Sequence, residues 1–310
     1  MASGSVIAKV PHHHRGTAAF FLVMAGSLGI QISTAVAASL FEDFSPVTVS
    51  GFRMLIAGIF LAVLVRPRVM RLTRNDWPQV LIYAVVASLM NVFFYLAVDR
   101  IPLGIAVTIE YLGAFVVSLL GVRKLKDSLF AIVALTGVIL IAGPTFSSSN
   151  WLGYVFAALG ATCMGSYTLL SARMGGGSDA TAGLKGISIS VCISALLLLP
   201  FSAPHLGQLD AEGWLRAAVA GIVGVALAFS ADSMAGRLTS SAVIGVFFSL
   251  DPVIGALVGT LLMGQVLSFW AYLGIGLIAL SGALLAWKTN RSAIAITTHT
   301  GALPQASNLA

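Results

Sequence analysis

Between residues 17 and 287 the chain returns repeatedly to apolar runs long enough to cross a lipid bilayer. A helix needs about 20 apolar residues for this, at about 1.5 Å of rise per residue. Windows of that kind fall at 17–38, 46–65, 77–98, 101–122, 128–146, 150–172, 180–201, 213–235, 239–263 and 267–287. The third and fourth are divided only by Asp99, Arg100 and Pro102. Pro102 suits the first turn of a new helix, where its missing N–H removes no bond. Charged residues make up 9% of the chain and hydrophobic ones 58%, against about 25% charged in soluble domains. A soluble core this apolar could not cover its own surface with polar groups. The expected fold class is all-α integral membrane, with ten transmembrane helices.

The loops give the orientation. Ten spans put both termini on one side. Loops of that side hold Lys9, Arg15, Arg66, Arg68, Arg71, Arg74, Arg123, Lys124, Lys126, Arg173, Arg237, Lys288 and Arg291. The opposite loops hold only Arg100 and Arg216, with the acidic pairs Glu42/Asp43 and Asp210/Glu212. Basic residues mark the cytoplasmic face, so a multi-pass protein with both termini cytoplasmic is expected. Residues 1–16 read as a polar N-terminal tail without the apolar core and cleavage site of a secretory signal. His12 to His14 have no scaffold to orient them toward a metal. Residues 288–310 read as a Thr/Ala/Ser-rich, disordered C-terminal tail. Cys163 and Cys192 lie in apolar segments as packing residues, and no disulfide framework or metal motif is visible. No cofactor, metal or nucleic-acid partner is expected.

The halves of the chain resemble each other. IPLGIAVTIEYLGAFVVSLLG (101–121) lies against TSSAVIGVFFSLDPVIGALVG (239–259), and SLFAIVALTGVILIA (128–142) against SFWAYLGIGLIALSGALLA (268–286). AGSLGIQISTAVAAS (25–39) is similar to LGATCMGSYTLLSAR (159–173). The order holds across five spans, giving repeats over 17–146 and 150–287. Because five is odd, the second copy enters the membrane from the other side. That is the inverted repeat of many secondary transporters, with the substrate site near the midplane between copies.

The ten-span pattern and the segment SLDPVIGALVGTLLMGQVLSFWAYLGIGLIALSGALLAW (249–287) resemble the EamA-type drug/metabolite transporters. There the ninth span carries an acidic-Pro pair, here Asp251-Pro252, and later Gly-Glu. This chain has Gly264-Gln265 instead, which removes a charge at the helix end. MNVFFYLAVDRIPLGIAVTIEYLGA (90–114) is similar to the bacterial threonine/homoserine exporter branch, with Ala114 where that branch has proline. The resemblance covers residues 17–288. It implies export of small amino acids or related metabolites across the bacterial inner membrane, driven by the proton gradient.

Ionisable groups inside spans are costly, and they face the bundle interior or a wet cavity. Glu110 lies about nine residues, or roughly 14 Å, into its span. Removal from water favours the neutral carboxyl. Such a group can take a proton from one side and lose it to the other, or pair with a substrate ammonium. It cannot do both at once, and that competition suffices for antiport. Asp251 is assigned to proton coupling with Glu110, and Pro252 frees a carbonyl in the turn before it, as a gated helix requires. Arg53 is a candidate for a substrate carboxylate, with pairing to Glu42 or Asp43 as its alternative. Lys185 is close enough to the cytoplasm to snorkel. Asp232 is expected near Arg237 at a cytoplasmic helix end, as a structural or gating ion pair. Asn91 and Tyr95 share a helix face and, with Gln31 and Tyr167, supply hydrogen-bonding groups to a cavity.

A permease for another solute, such as an amine, purine or sugar derivative, is the nearest alternative. An intramembrane enzyme lacks support: there is no HExxH, no GxSxG and no histidine in any span. An accessory membrane subunit would not require midplane carboxyls. Gly255 and Gly259 form a GxxxG that permits close packing within or between chains, leaving monomer or homodimer open.

Overall fold

The computed structural model describes residues 15–67, 72–74, 76–120, 128–145, 150–175, 184–238 and 248–300. The beginning of the ninth window (239–247), the His12–His14 tail and residues 301–310 lie outside them. In chain order the helices are α1 (Arg15–Ala38), α2 (Pro46–Val65), α3 (Asp76–Val98), α4 (Leu103–Leu120), α5 (Ser128–Thr145), α6 (Trp151–Gly175) and α7 (Leu184–Ser202). A 3-10 turn (Ala203–Gln208) leads to α8, one rod in three segments: Ala211–Gly221, a π turn at Ile222–Leu227, and Ala228–Leu238. Then follow α9 (Asp251–Leu262) and α10 (Phe269–Thr300). No strand occurs among the described residues.

Helix ends have local causes. Ser45 Oγ accepts the Thr48 N–H at 3.2 Å, and Pro46 opens α2 with φ already set for a helix. Asp210 Oδ1 accepts the Gly213 N–H at 2.7 Å and starts α8. α9 stops where Gly264 takes φ +63°, a left-handed conformation that suits glycine, and the Gln265 N–H returns to Gly259 O at 3.0 Å. The Gln265 side chain then accepts the Leu103 N–H at 2.9 Å. A neutral amide thus takes an otherwise unpaired donor in the first turn of α4. One expectation is corrected: the backbone beyond Trp287 stays helical to Thr300. The run SAIAIT contains two alanines and neither Gly nor Pro, and the first breakers are Gly301 and Pro304.

The bundle is apolar outside and polar within. Phe21, Ile59, Leu81, Leu196 and Leu261 point outward, whereas Gln31, Arg53, Asn91, Glu110 and Asp251 are buried. Six described helical stretches are long and apolar enough to cross a membrane: Thr17–Ala38, Pro46–Val65, Asp76–Val98, Trp151–Leu170, Leu184–Gln208 and Ala211–Asp232. Shorter apolar helices at Leu103–Val117, Ile132–Ile141, Asp251–Leu262 and Phe269–Leu284 pack among them. Trp77, Trp151, Trp214 and Trp270 stand exposed near the starts of α3, α6, α8 and α10, where tryptophan anchors a helix to a membrane interface.

Contacts between the halves come in matched pairs. α2 packs on α7, α4 on α9 and α5 on α10. α3 lies on α6 as α1 lies on α8, α4 on α6 as α1 on α9, and α3 on α7 as α2 on α8. Exchanging α1–α5 for α6–α10 leaves this pattern unchanged. Glycine permits the closest crossings. A Cβ on Gly274 would stand 2.5 Å from Gly137 O, and one on Gly137 would stand 2.8 Å from Gly274 O. Gly274→Val should therefore lower the melting temperature in detergent, by overpacking worth about 1–3 kcal/mol. An unchanged melting temperature would show that α5 and α10 can part without loss.

Candidate functional site

Buried polar side chains gather along the interior between the two halves. On the first-repeat side, α2 buries Arg53, which is 4% exposed. Its Nη1 donates to the Tyr95 hydroxyl of α3 at 3.0 Å, and its Nη2 donates to Gly224 O in the π turn of α8 at 2.8 Å. The guanidinium carbon lies 5.3 Å from the centre of the Tyr95 ring. Its Nε has no partner. Arg53 therefore pairs with neither Glu42 nor Asp43. Thr34 of α1 stands beside the Tyr95 hydroxyl.

Glu110 sits in α4, 7% exposed, within electrostatic reach of both Arg53 and Asp251. No hydrogen bond among the described residues reaches its carboxyl. A Cβ on Gly160 of α6 would lie 3.9 Å from Glu110 Oε1, and Cys163, one turn on, feels the same carboxyl. The Cys192 thiol donates to Gly58 O at 3.4 Å where α7 crosses α2.

Asp251 opens α9, with Pro252 beside it in the first turn. Its side chain is wholly buried. Ser27 of α1 and Tyr111 of α4 flank it, yet both carboxyl oxygens lack a partner in hydrogen-bond geometry, as does Ser27 Oγ. Asp232 of α8 interacts with Asp251. A Cβ on Gly26 would stand 3.2 Å from Asp232 Oδ1, another oxygen without a partner. The side chain of Arg237 lies outside the described residues, so Asp232 is seen here beside a carboxyl. Among the described residues, this site thus holds one buried guanidinium, two buried carboxyls and the half-buried Asp232.

The remaining positions divide. Asn91 is buried and donates to Ala87 O on its own helix at 3.0 Å. Gln31 is buried with Oε1 unpaired. Tyr167 stacks on Tyr83 at 4.8 Å between ring centres and on Phe229 at 6.4 Å, forming a separate aromatic cluster with Val80 and Ile189. Lys185, second residue of α7, is exposed. Sequence reasoning missed Ser27, Thr34, Tyr111 and Gly224. Ser27, Gln31 and Thr34 recur at helical spacing on α1, a signal that could have found the first two. The π turn that presents Gly224 O has no evident sequence mark.

A membrane-embedded helical bundle of two similar halves, with ionisable side chains buried between them, has the build of a membrane transporter. The chain belongs to the EamA-like transporter family, whose profile matches it twice, over residues 17–149 and 151–287. It is 27% identical over 263 residues to the threonine/homoserine exporter RhtA of Escherichia coli (strain K12), covering 83% of this chain and 87% of that protein. It is equally similar to the threonine/homoserine exporter RhtA of Salmonella typhimurium (strain SL1344), covering 85% of that protein. A solved crystal structure, 19% identical, shares the fold with a TM-score of 0.58 and covers 88% of this chain and 97% of its own.

Proposed function

We propose that this protein exports small amino acids of the threonine/homoserine type across the bacterial inner membrane by proton antiport. It acts as a carrier with no catalytic step. Ten transmembrane helices form two inverted five-helix repeats, over 17–146 and 150–287, and the tails 1–16 and 288–310 are cytoplasmic. The matched helix contacts support that arrangement, and the name of the relatives supports the solute.

The observation that carries the mechanism is the imbalance of buried charge. Among the described residues, full ionisation of Arg53, Glu110, Asp251 and the half-buried Asp232 would leave two negative charges uncompensated in a low-dielectric interior. A proton or a cationic solute group can offset them. Arg53 offers a fixed positive charge to the solute carboxylate. Glu110 takes either the solute ammonium or a proton, and Asp251 takes a second proton as the site turns over. Asn91, Tyr95, Gln31 and Tyr167 line the path with hydrogen-bonding groups. Asp232, Arg237 and Pro252 gate it: Pro252 marks where α9 begins, so the chain can pivot there without breaking a hydrogen bond.

Efflux of labelled threonine and homoserine from proteoliposomes tests this reading. An inward proton gradient should speed efflux of both, and collapsing the gradient should slow it. Flux indifferent to the gradient removes the coupling. Flux of amines, purines or sugars in preference to amino acids assigns a different solute.

A further inference from the structure

Arg53 reaches across the boundary between the halves to a carbonyl in the π turn of α8. In an α-helix the Ala228 N–H would take Gly224 O. Here, at the end of the π turn, it bonds to Val225 O, and Gly224 O accepts from Arg53 Nη2. Single π turns interrupt helices mainly at functional positions. Residue 224 is glycine at a crowded point: a Cβ there would overlap the Ser33 side chain of α1 and stand 3.1 Å from Arg53 Nη2.

The two nitrogens on one edge of a guanidinium, Nε and Nη2, form the parallel donor pair that grips a carboxylate with two hydrogen bonds. On Arg53 that edge is half filled. Gly224 O holds Nη2, while Nε is buried without a partner. The opposite nitrogen, Nη1, is held by Tyr95, which fixes the plane of the fork.

We propose that Gly224 O is a stand-in for the solute's carboxylate: it latches α8 to α2 when the site is empty and is displaced when a carboxylate takes Nε and Nη2 together. The exchange is favourable because a carboxylate brings charge and two acceptors where the peptide brings one. Solutes without a carboxylate would leave the latch closed. This rests on the reading of the protein as an amino-acid carrier and adds the link between carboxylate recognition and release of the second half.

The test pairs threonine with 1-amino-2-propanol, the same skeleton without its carboxyl group. Spin labels at Glu42→Cys and Glu212→Cys, both exposed positions, report the separation of the loop before α2 from the start of α8, in a Cys163→Ala/Cys192→Ala background. Threonine should change the label distance in the reconstituted protein and the amine should not. Arg53→Gln should abolish that change and reduce the preference for threonine over the amine by about tenfold or more. Arg53→Lys keeps the charge without the fork and should also lose the distance change. Equal displacement by both solutes, or a preference unaltered in Arg53→Gln and Arg53→Lys, overturns the latch. Threonine flux alongside such a result would leave the carrier reading standing. Displacement by threonine without flux would support the latch and remove the carrier.

Discussion

Glu110→Gln should abolish the proton-driven threonine export proposed above and leave the protein folded. The substitution keeps shape and volume. It breaks no hydrogen bond that the described residues make, and the side chain is buried, so packing around Gly160 is retained. What disappears is the exchangeable charge. A buried interaction with a charged group is worth about 1.5–3 kcal/mol, and each 1.4 kcal/mol is tenfold, so efflux should fall by about 10- to 100-fold. The variant should elute and melt as wild type does. Threonine efflux that kept its rate and its response to a pH gradient would place the coupling elsewhere.

Asp251→Asn gives the second large effect, and its two parts run in opposite directions. Asp251 is fully buried, both of its oxygens lack partners, and its neighbours include Asp232 and Glu110. An unpaired buried polar group carries a penalty of about 1–3 kcal/mol, larger for a charge. Asparagine removes the like-charge repulsion and adds donors that can reach Ser27 and Tyr111. Melting temperature should therefore rise, by somewhat less per kcal/mol than the about 2–4 °C of a 150–250-residue chain because this one has 310 residues, while threonine efflux falls at least about tenfold. Functional sites are where natural proteins keep such destabilising groups. A lower melting temperature would show that Asp251 holds α9 in place and that its coupling role is secondary.

How much could be read in advance depended on where the determinant lay. α2 spans 46–65 as the sequence indicated because Ser45 and Pro46 fix its start locally. The division of α3 from α4 was legible in Asp99, Arg100 and Pro102, which form the break between Val98 and Leu103. The end of α10 was not, because a composition rich in Thr and Ser hid a run with neither Gly nor Pro. Within the site, the burial of Arg53, Glu110 and Asp251 followed from the cost of charge in hydrocarbon. Their partners did not. Arg53 passes over Glu42 and Asp43 for a backbone carbonyl 171 residues away, one that lies in the π turn of α8. The ring neighbours of Tyr167, Tyr83 and Phe229, were not legible either, since aromatic packing depends on which helices meet.

The most direct test is to count protons against solute in the same vesicles. Proteoliposomes loaded with threonine and a pH indicator should acidify inside as threonine leaves. Protons should enter in fixed proportion to threonine lost, and both signals should vanish in Glu110→Gln. Threonine leaving with no proton movement, or proton entry undiminished in Glu110→Gln, would contradict alternating occupancy of Glu110 by solute and proton.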